Sequence, residues 1–314
     1  MLPANQGILG FVHRLGAGVA GQLHSLGLSA YIVRLMKPIH SIALGIKRHP
    51  LRFFSEIFLA YSAIWTVIES ASFFFITLKP QGAKYYLCLI FTSTLIACTR
   101  AYQRDSTQFT IGHSNTQVTI SFGDIFECDG HLAIPVNEYF DSELGLPVSP
   151  NSLHGIVINR FFGGHRASFD ELLQSDLSTT SCEKVTRPGG KTNRFAIGTT
   201  ASIKTNSHKF LLFALCTTDI NTYKASTSLP NFVKALEGLC DKARVMLGGE
   251  KLILPLVGSG LSGVGLPGNQ LLQLILLVLV NETKKNQISL EIEIVIHPSR
   301  FDEIDLSSIK NSWR

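Results

Sequence analysis

The stretch LPLVGSGLSGVGLP, residues 254–267, joins a strand pattern to a helix pattern through a glycine-rich turn. Residues 251–257 form the short apolar run of a buried strand, and residues 269–280 form the longer run of a helix. Four glycines lie between them, at Gly258, Gly260, Gly263 and Gly265. Glycine accepts positive φ and lets a backbone approach a ligand, and the following helix is expected to turn its free amides towards the same loop. The stretch therefore predicts a diphosphate site, with tight strand–helix packing as the alternative.

Two known phosphate-loop motifs do not fit this chain. Gly258, Gly260 and Gly263 have G-x-G-x-x-G spacing, but too few residues follow for a Rossmann fold, and no acidic residue ends the next strand. Residues 190–192 (GKT) have the ending of a Walker loop, but Val185 occupies the position of its first glycine. The sequence thus favours a phosphate-binding loop of another kind.

The charge is divided unevenly along the 314 residues. Residues 1–104 contain ten Lys and Arg against Glu56 and Glu69, whereas the remainder contains 18 basic and 21 acidic residues. Nucleic-acid binding would place basic residues on the folded domain, so no nucleic acid is expected, and the basic half is expected to meet anionic lipid. The six cysteines lack metal-type spacing and are interpreted as reduced packing residues of a cytosolic domain.

Residues 1–52 are apolar, glycine-rich and basic. A cleaved signal peptide is not expected, since no basic n-region leads directly into an apolar core with a small-residue cleavage site. We interpret them as a leader with an interfacial amphipathic helix, broken near Pro38 and ended near Pro50. The alternative is a flexible leader that packs on membrane helices.

Residues 53–104 have the pattern of a transmembrane hairpin with spans at 57–78 and 84–99. The first span has 22 residues, enough for roughly 30 Å of hydrocarbon. Basic residues flank the outer ends more densely than the connector, which favours cytoplasmic termini and a multi-pass protein of the inner membrane. Glu69 within the first span indicates a role in assembly or conduction, with snorkelling as the alternative. Two helices do not enclose a pore, so a channel would require a homo-oligomer.

From residue 107 onward, strand and helix patterns alternate, which indicates an α/β fold with a mainly parallel sheet. The predicted strands are residues 116–122, 132–136, 194–199, 210–217, 251–257 and 290–296. The predicted helices are residues 152–161, 169–176, 230–247 and 269–283. The apolar run at 271–280 is too short for a third span and is predicted to be a core helix.

Three segments carry a family resemblance: GDIF at 123–126, AIPVN at 133–137, and the glycines of 258–265. In this order they resemble a macro domain, here assigned to residues 108–314. The predicted fold class is therefore α/β, a macro-domain-like mixed sheet between helices, preceded by an α-helical two-span transmembrane hairpin. With that hairpin in front, the chain resembles the transmembrane macro effectors of Thoeris antiphage defence.

The resemblance implies a ligand of the ADP-ribose type, made from NAD by a TIR-domain enzyme; in this branch it is histidine-ADP-ribose. It implies that Asp124 accepts a hydrogen bond from the adenine amino group, that Ile125 lines the adenine pocket and that Asn137 lies beside the ribose. Turn capping by Asp124 and strand-end bonding by Asn137 are the alternatives. The resemblance also implies that the diphosphate is held by backbone amides of Gly258, Ser259, Gly260, Leu261, Ser262, Gly263 and Val264.

The segment RPGGKTNR at 187–194 is predicted to recognise the distal end of the ligand. Arg187, Lys191 and Arg194 are expected to pair with a phosphate or a carboxylate. The alternative is a solvated basic loop. No metal site is expected, since His154 and His165 lack ligand spacing and are interpreted as surface or cap residues.

The chain departs from hydrolytic macro domains, which have Asn-Ala-Ala-Asn after the second strand and a glycine-rich first loop. Here residues 137–140 are NEYF, and Phe140 replaces the second asparagine. Losing a polar group that orients water argues against hydrolysis. The expectation is a sensor rather than an enzyme, which oligomerises on binding its signal and disrupts the membrane. The rivals are a membrane-tethered ADP-ribosyl hydrolase and a passive reader of ADP-ribosylated protein.

Overall fold

The computed structural model describes residues 28–75, 82–260 and 263–313. The chain divides into two compact units, Met1–Arg104 and Asp105–Arg314. Residues 1–27 of the predicted leader, the end of the predicted first span and residues 79–81 of the connector lie outside the described residues.

The first unit contains three described helices, α1 (Leu28–Arg48), α2 (Pro50–Phe74) and α3 (Ala83–Ala101). The predicted break at Pro38 is wrong, because α1 continues through that residue; a proline removes one helical hydrogen bond, and its fixed φ is compatible with a helix. The predicted end near Pro50 is confirmed, because α1 ends at Arg48. Pro50 then begins α2, since a first-turn proline gives up no intrahelical bond.

Small side chains mediate the packing of these helices. On α3, Leu89, Ser93 and Ala97 are buried at a spacing of four residues, which places them on one face. Gly45 lets α1 approach α3, because a Cβ at this position would lie 1.8 Å from the Ala101 carbonyl oxygen. An ion pair of 2.5 Å joins Glu56, near the start of α2, to Arg100 at the end of α3.

Among the described residues, α2 is the one helix long and apolar enough to cross a membrane. The predicted second span falls on α3, which does not meet the same criterion. Its 19 residues include two basic side chains, four serine and threonine hydroxyls and two tyrosines, and these lower its mean hydropathy. The two-span hairpin is therefore not shown.

The second unit is built on a mixed β-sheet. The strands are β1 (Ser106–Thr110), β2 (Gln117–Phe122), β3 (His131–Asn137), β4 (Cys182–Lys184), β5 (Asn193–Phe195), β6 (Thr200–Lys204), β7 (Lys209–Thr218), β8 (Ala225–Ser226), β9 (Leu252–Pro255) and β10 (Glu291–Ile296). Eight of them form the main sheet in the order β1-β2-β10-β9-β3-β7-β6, to which β8 adds against β7. Strands β2, β10, β9, β3 and β7 are parallel, and β1 and β6 are antiparallel edge strands. A separate hairpin pairs β4 with β5.

Helices cover both faces of this sheet. Alternate residues of β7 enter different cores: Leu211 and Phe213 pack with one set of helices, and Phe210 and Leu212 pack with the other. Burial on both sides explains the continuous apolar run of this strand. The helices of the first core are α6 (Leu229–Met246), α7 (Gly268–Lys285) and α8 (Leu306–Ser312), and those of the second are α4 (Leu153–Phe162) and α5 (Arg166–Leu177).

The element predictions are largely confirmed in this unit. All four predicted helices and five of the six predicted strands are found with shifted ends. The predicted strand 194–199 is wrong beyond Phe195, because Gly198 turns the chain with a φ of +94° before β6 begins. Strands β1, β4, β6 and β8 and helix α8 were not predicted; they are short, and the strands lie at edges.

We expect Gly238→Ala to destabilise the second unit, although alanine favours helix by about 1 kcal/mol. A Cβ on Gly238 of α6 would lie 2.1 Å from the Gly198 carbonyl oxygen, so the free energy of unfolding should fall by about 1–3 kcal/mol. Denaturant unfolding of the full chain in detergent measures the change. Lys234→Ala, on an exposed position of the same helix, is the control; equal stability of G238A and wild type would contradict the close contact.

Candidate functional site

The carboxyl ends of the five parallel strands meet at one edge of the sheet. There β3 and β9 separate: they pair only at His131↔Leu252 and Leu132↔Ile253, whereas β3 continues along β7 as far as Asn137. The glycine-rich turn follows β9 at the same edge. In open α/β sheets such a separation of strand ends is where ligands bind.

The glycines of this turn have two different roles. Gly258 has a φ of +78°, and a Cβ there would lie 2.7 Å from the Phe232 ring; at Gly263 a Cβ would lie 2.2 Å from the Gly258 carbonyl oxygen. These two glycines permit tight packing. At Gly260 a Cβ would have no described atom within 4 Å, so this residue borders open space.

Internal hydrogen bonds close the turn. The amide of Val264 donates to the Gly258 carbonyl at 3.2 Å, and the amide of Gly263 donates to the Gly260 carbonyl at 3.0 Å. The expectation that these two amides hold a diphosphate is therefore wrong, because carbonyls of the turn itself already accept from them. The Ser259 hydroxyl donates to the Leu256 carbonyl at 2.9 Å. Leu261 and Ser262 lie outside the described residues.

The amino end of α7 differs from the expectation of free amides directed at a ligand. The Gly268 amide donates to Oε1 of Glu303 at 2.7 Å, and the amides of Gln270 and Leu271 donate to the Pro267 carbonyl. The prediction is wrong for these three groups, because a carboxylate and a carbonyl of the chain itself satisfy them. The open backbone of the turn remains as the phosphate-binding feature.

Asp124 follows β2 at the same edge and caps a short 3-10 turn, Ile125–Glu127. Its Oδ1 accepts from the Phe126 amide at 3.0 Å, and Oδ2 lies 3.7 Å from Arg160. Half of its side-chain surface is exposed, whereas Ile125 is buried in the core beneath α4 and α5. Asp124 is therefore a turn cap that keeps one face towards solvent.

Asn137 organises the turn after β3. Its Nδ2 donates to Asp141 at 2.9 Å, and its Oδ1 accepts from the amides of Tyr139 at 3.2 Å and Asp141 at 3.1 Å. These bonds match the strand-end alternative. A role of Asn137 beside a ribose stays a prediction.

Arg187 is enclosed by the protein. Its Nη1 and Nη2 each donate to Oδ2 of Asp141 at 3.0 Å, and both side chains have 0% exposed surface. The guanidinium also lies 4.1 Å from the centre of the Tyr139 ring. Contrary to the sequence-based expectation, Arg187 does not face a ligand here; it neutralises a buried carboxylate that fixes the turn.

Lys191 and Arg194 remain partly exposed, each with an acidic partner. Nζ of Lys191 lies 2.5 Å from Asp170 and donates to the Phe140 carbonyl at 2.7 Å; burial lowers the pKa of its ammonium, against the opposing effect of Asp170. Arg194 pairs with Glu183 at 2.5 Å, and this hydrogen bond raises the pKa of the guanidinium.

A cavity of about 610 Å³ lies beside Lys191, between α5 and the β4–β5 hairpin. Its volume is in the range of small-molecule sites. Its lining combines an apolar floor with polar groups from the 190–193 segment and from α5. It is lined by Tyr139, Phe140, Asp170, Leu173, Gln174, Leu177, Ser178, Thr180, Cys182, Gly190, Lys191, Thr192, Asn193 and Phe195.

The sequence analysis did not identify the acidic residues that pair with Arg187 and Lys191, nor the basic residue that contacts the glycine-rich turn. Arg300, after β10, donates through Nη2 to the Ser259 carbonyl at 2.8 Å and through Nη1 to Glu303 at 2.6 Å. A basic and an acidic residue three positions apart after the last strand were the available signal. No signal marked Asp141 or Asp170, because their partners are distant in sequence. No metal-type cluster of His, Cys, Asp or Glu occurs in the described ranges.

His154 of α4 is buried and packs against Phe169, so its interpretation as a surface or cap residue is wrong. Its burial predicts a pH dependence. Burial, and secondarily Lys191, lower the pKa of His154 to about 3. The unfolded chain takes up this proton near pH 6.5, whereas the folded chain does not, so stability falls as the pH drops below that value.

We therefore expect the free energy of unfolding to fall by about 2 kcal/mol more in wild type than in His154→Leu between about pH 7.5 and pH 5. Denaturant titrations at both pH values measure the difference. His165→Leu, at an exposed position, is the control with wild-type behaviour. Identical pH dependence in wild type and H154L would show that His154 does not cause the loss.

Comparison with known proteins finds similar solved structures and one matching protein family. Two solved structures of the Oceanobacillus iheyensis macrodomain, one with ADP and one with MES bound, are each 12% identical to this chain, with TM-scores of 0.45 and 0.46. They match 66% and 67% of this chain, and 96% and 98% of their own length. None of the curated proteins compared with the chain matches it. The protein-family model described as the macro domain of the Thoeris protein ThsA matches residues 118–297, more than half of the chain. The chain therefore belongs to the ThsA macro-domain family of Thoeris proteins.

Proposed function

We propose that the second unit binds a nucleotide diphosphate of the ADP-ribose type across the carboxyl edge of its sheet. The observation that carries this proposal is the open backbone at Gly260, beside the strand ends of β3 and β9 that separate after two register pairs. A phosphate can approach such a backbone without meeting a side chain. Membership of the ThsA macro family supports the same ligand class.

The residue roles follow the order of the strand ends. Asp124, with half of its side chain exposed, accepts a hydrogen bond from the adenine amino group beside the Ile125 turn. The open backbone of the glycine-rich turn around Gly260 holds the diphosphate. Asn137 and Arg187 act indirectly, by fixing the turn after β3 through Asp141.

The distal end of the ligand is assigned to Lys191 and Arg194. Both are partly exposed, and Lys191 lines the cavity beside α5. A phosphate or the carboxylate of an amino-acid conjugate, histidine-ADP-ribose included, would pair with these groups. The ligand's anionic group would replace the carboxylate that now pairs with Lys191 or Arg194.

We favour a sensor over an enzyme. The Asn137 amide is engaged in three hydrogen bonds within the turn, and Phe140 is 1% exposed, so neither presents a polar group to orient water. The alternative hydrolase would release ADP-ribose from modified protein, which mass spectrometry detects. A passive reader would bind modified protein without any effect on a membrane.

The first unit gives this sensor an effector role at the inner membrane. The apolar helix α2 would cross the bilayer, with α3 packed against it as a second span and the macro unit in the cytoplasm. A TIR-domain enzyme would make the signal from NAD. Signal binding would favour a homo-oligomer that disrupts the membrane, to the extent that the oligomer binds the signal more tightly.

Gly260→Asp tests the diphosphate site. A carboxylate in the open space at Gly260 would repel the diphosphate, so we expect ADP-ribose affinity to fall about 30- to 100-fold, an effect of roughly 2–3 kcal/mol. Calorimetry on the full chain in detergent measures the affinity. Gly260→Ala is the matched control: its uncharged Cβ meets no described atom within 4 Å, so this variant should fold and lose less affinity than G260D. A folded G260D variant with wild-type affinity would refute the site.

Leu59→Lys combined with Val67→Lys tests the membrane helix. Both residues lie on α2 with more than half of their surface exposed, and each lysine costs about 3 kcal/mol near the bilayer centre. We expect less chain in the membrane pellet after alkaline carbonate extraction. The control is Val245→Lys with Leu277→Lys, at similarly exposed positions on α6 and α7. Full retention of the α2 variant in the pellet would contradict insertion.

A further inference from the structure

An ion pair in the segment after β10 contacts both ends of the glycine-rich turn. Arg300 and Glu303 lie 2.6 Å apart, with 34% and 38% of their side chains exposed. Neither belongs to β10; both stand in the segment between that strand and α8. We call Arg300 and Glu303 the loop clasp.

Each member of the loop clasp holds one end of the turn. Arg300 donates to the Ser259 carbonyl at 2.8 Å, next to the open backbone of Gly260. Glu303 accepts from the Gly268 amide at 2.7 Å, at the first residue of α7. A Cβ on Gly268 would lie only 2.6 Å from this carboxylate, so the absence of a side chain at Gly268 creates the space for it.

Glu303 thus supplies an anion where the fold favours one. The amino end of a helix attracts negative charge through its amides and dipole. The hydrogen bond from Arg300, followed by the Gly268 amide, lowers the pKa of Glu303, which keeps it ionised. An internal carboxylate therefore stands beside the turn to which we assign the ligand's diphosphate.

A ligand anion can replace the two present partners of Arg300 at low cost. One partner is a neutral carbonyl, and the other is a carboxylate in a solvent-accessible ion pair, which contributes little to stability. A diphosphate offers the same guanidinium two parallel charge-assisted hydrogen bonds. The fully buried pair of Arg187 and Asp141, by contrast, is not accessible for exchange.

We infer that Arg300 is a diphosphate-binding residue, and that Glu303 is the internal anion that the ligand must displace from it. The inference rests on the proposed function and adds a selectivity element to it. Glu303 disfavours the binding of weakly charged ligands, because only an anion that binds Arg300 more strongly than Glu303 does can displace it. Nucleotides with a diphosphate are favoured over neutral nucleosides for this reason.

The experiment measures binding of ADP-ribose, ADP and adenosine to the full chain in detergent. Arg300→Gln should weaken ADP-ribose and ADP about tenfold and leave adenosine unchanged, because only the first two carry the diphosphate. Glu303→Gln should tighten ADP-ribose about three- to tenfold, since glutamine still accepts from the Gly268 amide but no longer competes for Arg300. The double variant should behave like R300Q.

The matched control is Glu291→Gln. Glu291 is the first residue of β10 and pairs with Lys251 at 3.5 Å, at the opposite edge of the sheet. The Glu291→Gln substitution removes the same charge from a partly exposed ion pair. It should leave the affinities for ADP-ribose, ADP and adenosine unchanged. Arg300→Lys retains the charge and should lose less affinity than R300Q; it carries the test if R300Q does not fold.

The outcomes separate this inference from the proposed function. If wild type binds ADP-ribose but E303Q binds it no more tightly, or R300Q weakens adenosine as much as ADP-ribose, the loop clasp is only structural and the inference is overturned. If wild type binds neither ADP-ribose nor ADP, the proposed function fails, and the inference fails with it. Tighter binding by E303Q together with charge-selective loss in R300Q supports both.

Discussion

The separation of β3 from β9 is the constraint on which the site depends. Their ladder ends after two register positions, whereas β3 pairs with β7 at seven. The chain after β3 therefore turns away with β7, and the chain after β9 turns into the glycine-rich loop. Because the strands are parallel, both turns emerge at the same edge. One choice of hydrogen-bond partner thus separates the turn at Asn137 from the open backbone at Gly260.

Charge at this edge is balanced within the protein. Arg187 is paired with Asp141, Lys191 with Asp170, Arg194 with Glu183, and Arg300 with Glu303. Burial divides these pairs into two classes. The pair of Arg187 and Asp141 is completely enclosed and further bonded to Asn137 and the Lys191 amide, so breaking it would leave a buried charge without a partner. The other three pairs are partly exposed, and an anionic ligand can compete for their cations at lower cost.

The glycine-rich turn shows why a composition pattern has two valid explanations. Gly258 and Gly263 have no space for a side chain, which is the packing explanation, and Gly260 borders open space, which is the ligand explanation. Identical residues in one short loop thus serve the fold and the candidate site. The role of each glycine depends on the atoms that it faces. These atoms belong to distant residues, as Phe232 of α6 does for Gly258.

The sequence by itself determined the alternation of strands and helices, the family resemblance, and the positions of Asp124, Asn137 and the glycine-rich turn at strand ends. These depend on apolar periodicity and on glycine, which are local properties. The tertiary structure decided the short edge strands, the enclosure of Arg187 and the capping of α7 by Glu303. Each of these depends on a partner supplied by a separate element, at a distance that periodicity does not encode. For the same reason, the residue types that suggested ligand contacts did not reveal which cations are already paired and which remain accessible.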